Sequence, residues 1–139
     1  MSLRTGIDLI EIRRLDELNP KIRERFVQRV FTENERQECG ENSARLAGRF
    51  AAKEAVAKAL GSGIGAVTWQ DIEVRQGPYG EPVLELHGAA LQMAKDLRLN
   101  EWSISISHSQ THAVAVAVAV GAAVSPGAKP SGDEVDAEP

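Results

Sequence analysis

Apolar positions along this chain recur at two spacings, and the switches between them divide it into elements. Leu3 to Ile12 reads as a strand, with Ile7, Leu9, Ile10 and Ile12 apolar and Gly6 permitting close approach. From Arg13 to Val30 the spacing turns helical, interrupted at Asn19-Pro20, where Pro20 suits the first turn of a new helix. Thr32 to Glu35 is a capping box that starts a short helix ending near Cys39-Gly40. A long helix follows from Ser43 to Leu60, capped by Ser43 or Asn42 and stopped by Gly61.

Thr68 to Arg75 and Pro82 to His87 alternate around Ile72, Val74, Val83, Leu84 and Leu86. The turn formers Gly77, Pro78 and Gly80 between them predict a hairpin. Gly88 to Leu99 reads as a helix with Ala90, Leu91, Ala94 and Leu97 as its buried stripe, broken by Asn100. Trp102 to His108 alternates strictly: Trp102, Ile104, Ile106 and His108 share one face and three serines the other. Ala113 to Val120 alternates alanine with valine, a strand whose slim face lets another element pack closely, and the two strands make a second hairpin. The pattern predicts an α+β fold, one small domain over 1–124, with antiparallel hairpins on one long helix and shorter helices. Residues 125–139 carry no apolar periodicity and read as a disordered polar tail.

Two carboxylates sit where the pattern has no place for them. Wound at about 100° per residue, the long helix puts Arg45, Arg49 and Lys53 on one strip and Glu54 inside the apolar arc. Asp8 interrupts the first strand, where aspartate is depleted. A buried charge needs a partner. For Glu54 the candidates are Lys58, one turn on, or a metal ion. Few carboxylates and no His/Cys cluster describe a Mg²⁺ site better than a zinc site.

Composition narrows the setting. One cysteine, no signal-peptide core and no apolar run near the roughly 18 residues of a membrane span predict a cytosolic protein without membrane partners. The formal charge of −4 is concentrated in the tail, where Lys129 faces Asp133, Glu134, Asp136 and Glu138. Between Arg13 and Arg29, in contrast, Arg13, Arg14, Lys21, Arg23, Arg25 and Arg29 outnumber Asp16, Glu17 and Glu24. That local excess suits an acidic protein surface or a solvated helix face; nucleic acid demands a broader basic stripe.

Two further groups are candidates. Gly61-Ser62-Gly63-Ile64-Gly65 follows a helix, unlike the loops that cradle phosphate ahead of one. It is either a C-capping turn or a nest of backbone N–H groups backed by Lys58. His108 ends an alternating strand, and its serine neighbours point the other way. No Gly-x-Ser-x-Gly elbow exists, so His108 reads as ligand-facing or capping, not as a nucleophile's base.

The motifs Gly6-Ile-Asp8-Leu-Ile-Glu11-Ile, Gly48-Arg-Phe-Ala-Ala-Lys53-Glu54-Ala, Lys58-Ala-Leu-Gly61-Ser-Gly63 and Ser105-Ile-Ser-His108-Ser occur in that order. With Trp69-Gln-Asp71-Ile-Glu73-Val and Gly80-Glu-Pro82 between them, residues from about Leu3 to Val120 resemble the holo-(acyl-carrier-protein) synthases. These are the short bacterial type of 4′-phosphopantetheinyl transferase. The resemblance implies transfer of the 4′-phosphopantetheine arm of coenzyme A to a serine of apo acyl carrier protein, releasing adenosine 3′,5′-bisphosphate, in support of fatty acid biosynthesis. It implies Asp8 and Glu54 as Mg²⁺ ligands, with Lys58 beside them, and coenzyme A contacts from Arg49, Lys58, Gly61, Ser62, Gly63, Pro82 and His108. It further implies an acidic carrier helix meeting Arg14, Arg23 and Arg25, and a homotrimer with active sites between subunits, the Ala/Val strand in its core. A carrier- or nucleotide-binding module without catalysis, and a Mg²⁺-dependent nucleotide hydrolase, are the competing readings.

Overall fold

The computed structural model of the chain describes residues 1–61 and 67–122. Five strands, β1 (Ser2–Glu11), β2 (Ile72–Gln76), β3 (Pro82–Leu86), β4 (Leu99–His108) and β5 (His112–Gly121), accompany five helices. These are α1 (Arg13–Asp16), α2 (Pro20–Val30), α3 (Glu33–Cys39), α4 (Ser43–Leu60) and α5 (Gly88–Asp96). The α+β expectation holds, with a three-stranded antiparallel sheet in the order β1-β5-β4 and a separate β2-β3 hairpin.

Small side chains make α4 the hub. Ala113, Ala115, Ala117 and Ala119 of β5 are buried toward it, as are Ala51, Ala55 and Ala59 of the helix itself. At Gly6 the approach is so close that a Cβ would lie 1.8 Å from the Ala55 carbonyl oxygen, so only glycine fits. Register places Asp8 opposite Ala115 and His108 opposite Ala113. Both therefore face α4, but from the two outer strands, with β5 between them.

Among the described residues nothing covers the other face of this sheet. Leu3, Ile7 and Leu9 are 65%, 60% and 64% exposed, and they pair with Val120, Val116 and Val114.

The capping boundaries fall where the side chains dictate. Asn42, not Ser43, caps α4, while the Ser43 hydroxyl donates to Asp16. Thr32 and Glu35 form the anticipated capping box of α3. Three details differ from the sequence reading. Trp69–Asp71 is a short 3₁₀ turn ahead of β2. Leu91 is 38% exposed instead of buried. Finally, α5 stops at Asp96, Arg98 turns the chain at φ 59°, and Asn100 lies within β4. That early stop lets Leu99 enter the core as the first residue of the strand.

Lys53 departs most from expectation. Its strip with Arg45 and Arg49 faces the β2-β3 hairpin, and Lys53 is fully buried. Its ammonium pairs with Glu35 at 2.7 Å and donates to the carbonyls of Trp69 (3.0 Å) and Ile72 (2.6 Å). Glu35 in turn accepts from the backbone N–H groups of Thr32 and Val74, both at 2.8 Å. One ionic knot thus ties α3, α4 and β2 together. Burial lowers the Lys53 pKa, with Glu35 opposing.

Candidate active site

Asp8 and Glu54, distant in sequence, meet across the β1–α4 contact. Both line one cleft, and among the described residues Asp8 Oδ2 is buried without any donor. Burial and then the facing Asp8 carboxyl push Glu54 up to about 7, against the pull of Lys58 and Arg14. Lys58 does not satisfy Glu54. Its ammonium donates instead to the Ile7 carbonyl (2.9 Å) and Asp8 Oδ1 (3.3 Å). The cleft here has a volume of about 420 Å³ and is also lined by Arg14, Phe26 and Phe50.

Two facing carboxyls with an orphaned buried oxygen need a shared proton or a cation. All donors are hard oxygens, which suits Mg²⁺ with positions left for water and phosphate. A second group of potential ligands, Glu73, Glu85 and His87, places its ligating atoms within 4.8 Å of one another. There the buried carboxylate is already served: Glu73 accepts from Thr32 and Asn34 and pairs with His87. Burial works against the Glu73 charge, but those hydrogen bonds hold its pKa below the usual range. It has no unmet need for a cation.

The Asp8–Glu54 pair makes stability depend on pH. In metal-free protein the Glu54 pKa is about 7 folded against an ordinary 4.5. A raised folded-state pKa adds stability that is complete below the ordinary value and lost as pH rises through the folded one. Wild type should therefore lose about 2 kcal/mol between pH 4.5 and pH 8, a figure discounted because water reaches the cleft. Thermal melts in EDTA check this against Glu54→Gln, whose profile should lack that fall; parallel profiles would refute the strained pair.

The remaining candidates gather elsewhere. Arg49, Pro82 and His108 line a second cleft of about 290 Å³ with Arg45, Gly48, Gln76, Gly80 and Ile106. It shares no lining residue with the first cleft. Arg49 is fixed by Glu38 Oε1 (3.0 Å) and the Val74 carbonyl (2.7 Å). Burial works against the Glu38 charge, but the Gln76 N–H, Arg49 and Arg75 keep its carboxyl below the usual pKa range. The His108 Nδ1 lies 3.2 Å from the Ser109 carbonyl, so Nδ1 carries the proton and Nε2 is the uncommitted nitrogen. The second cleft lies just below, and the first inside, the ~300–1,000 Å³ usual for ligand sites.

Gly61 caps α4 in the left-handed conformation, φ 77°. Ser62 and Gly63 lie outside the described residues. Of the basic side chains expected to meet a carrier, Arg14 and Arg25 are exposed. Arg23 is half-buried and donates to the Leu15 and Glu41 carbonyls and to Ser43. No helix among the described residues is long and apolar enough to cross a membrane.

Known proteins resemble this chain over most of its length. The sequence profile of the 4′-phosphopantetheinyl transferase superfamily matches residues 4–117. The holo-(acyl-carrier-protein) synthase of Herpetosiphon aurantiacus is 49% identical over 114 residues, 77% of this chain and 90% of that protein. That of Natranaerobius thermophilus is 44% identical, over 80% of this chain and 91% of its own length. The crystal structure of the Helicobacter pylori synthase in complex with coenzyme A superposes with a TM-score of 0.76 at 32% identity, covering 84% of this chain and 99% of that one. With most of both lengths matched in sequence and in fold, the chain belongs to the holo-(acyl-carrier-protein) synthases of the 4′-phosphopantetheinyl transferase superfamily.

Proposed function

We propose that this transferase, which moves the 4′-phosphopantetheine arm of coenzyme A to a serine of apo acyl carrier protein, works at a site that Asp8 and Glu54 of one subunit share with Arg49, Pro82 and His108 of the next. The observation that carries the reading is the donor-less Asp8 Oδ2 at the cleft that Asp8 shares with Glu54. These two carboxylates would hold Mg²⁺. When bound, the ion supplies neutralisation of the charge that builds on the diphosphate as the arm is transferred.

The chain's own residues supply the rest. Lys58 adds a fixed cation at the rim of the carboxylate cleft. The serine must lose its proton to a base within about 3 Å, directly or through one water. We assign that role to Glu54. Arg14 and Arg25 offer positive charge to an acidic carrier surface, steering encounter. Attack of the serine oxygen on the phosphorus bearing the pantetheine arm breaks the bond to the other phosphate. Adenosine 3′,5′-bisphosphate leaves.

Two subunits are invoked because the two clefts lie on opposite flanks of α4 and share no lining residue. The open sheet face, with Leu3, Ile7, Leu9 and the β5 valines, is the surface we assign to other copies of this chain, arranged as a homotrimer. Co-expression tests the reading. Glu54→Ala and a chain carrying Arg49→Ala with His108→Ala should each fail to add a phosphopantetheine mass to an apo carrier supplied with coenzyme A and Mg²⁺. Mixed trimers should regain about a quarter of wild-type activity, because random assembly joins two intact half-sites that often. No recovery from a stable mixed oligomer would confine the site to one chain, and no transfer by wild type would end the reading.

A further inference from the structure

The carbonyl end of α4 is an awkward place for an anion, since the helix dipole is negative there. Arg4 changes that. It sits on the same face of β1 as Gly6 and Asp8, and its Nε donates to the Ala59 carbonyl at 2.7 Å. Its Nη2 lies against Gly61, where a Cβ would come within 2.6 Å of it. Among the described residues that is the one hydrogen bond the Arg4 side chain makes. A guanidinium has five N–H donors and a permanent charge, so most of its donor capacity is unspent.

The neighbours give this position meaning. Glu54, Lys58 and Gly61 follow one another at helical spacing along one side of α4. Arg4 and Asp8 lie four residues apart on β1, about 13 Å along the strand. The β1–α4 groove therefore presents the carboxylate pair, then the Lys58 ammonium, then the Arg4 guanidinium. A carboxylate pair followed by two cations fits a ligand with several phosphates laid along the groove.

We infer that Arg4 holds a phosphate of coenzyme A beside Gly61, converting the negative end of α4 into an anion-accepting edge. The inference rests on the coenzyme A reading above. Either the 3′-phosphate or the diphosphate offers the required chemistry. The alternative is that Arg4 only caps the helix.

Steady-state kinetics with saturating apo carrier separates these. Arg4→Gln keeps a donor for the Ala59 carbonyl but removes the charge. It should raise KM for coenzyme A about tenfold, with a smaller change in kcat and a melting temperature close to wild type. Arg4→Lys should recover most of that loss. With 3′-dephospho-coenzyme A, disappearance of the Arg4→Gln effect assigns the contact to the 3′-phosphate; persistence assigns it to the diphosphate. Unchanged KM with a lowered melting temperature overturns the inference and leaves a helix cap. If Arg4→Gln fails to fold, Arg4→Lys decides: a KM raised about threefold supports the contact, and an unchanged KM refutes it. A wild-type enzyme that transfers while both variants match its KM defeats Arg4 alone, whereas an inert wild type defeats the reading beneath it.

Discussion

Glu54→Ala should slow arm transfer about a thousandfold or more while leaving the fold intact. Alanine removes one of the two carboxylates and leaves Asp8 beside Lys58, an ordinary ion pair. Because the Glu54 charge is strained by burial and by Asp8, its loss should not destabilise the metal-free protein above pH 7. The rate of mass gain on the carrier measures the first effect, and thermal melting the second. Calorimetry adds a third: wild type should bind coenzyme A more tightly with Mg²⁺ than with EDTA, and Glu54→Ala should lose that difference. Unchanged turnover would remove Glu54 from the site. Coenzyme A binding indifferent to Mg²⁺ in wild type would favour a carrier- or nucleotide-binding module. Consumption of coenzyme A without a carrier would favour a hydrolase.

Asp8 and Glu54 were legible because each violates a local rule. An aspartate in an apolar strand and a glutamate in the apolar arc of a helix both carry a desolvation cost that packing alone does not explain. Their proximity is a tertiary fact, set by Gly6 letting β1 lie on α4. The alternation of β4 and β5 gave the second hairpin directly, since period-two patterning reports which side chains share a face. Pairing of β1 with the far edge of β5 was not readable, because alternation names faces and not neighbours.

Arg4 and Lys53 were missed for a related reason. A helical wheel divides positions by direction but does not say what lies in each direction. The strip of Arg45, Arg49 and Lys53 resembles a solvated face, yet the β2-β3 hairpin covers part of it. The available signal was Glu35 in the capping box: the oxygen that caps α3 has a second lone pair, which here takes the buried Lys53 ammonium, while the other oxygen accepts from Val74 N–H. Arg4, at the start of an edge strand, gave no sign in the sequence that it would reach the end of α4.

The buried knot also makes the strongest stability prediction. Lys53→Met keeps the length of the side chain but leaves Glu35 fully buried, with only the Thr32 and Val74 N–H groups to serve it. Stranding one partner of a buried pair costs about 3–5 kcal/mol, a large part of the ~5–15 kcal/mol that holds a domain together. The carbonyls of Trp69 and Ile72 lose their donor as well. Urea denaturation at pH 8 measures the size of the loss. A loss under about 1 kcal/mol at pH 8 would show that the hairpin is held by its apolar contacts instead. Since that hairpin carries Gln76 and Pro82 into the second cleft, any Lys53→Met protein that still folds should also show a raised KM for coenzyme A.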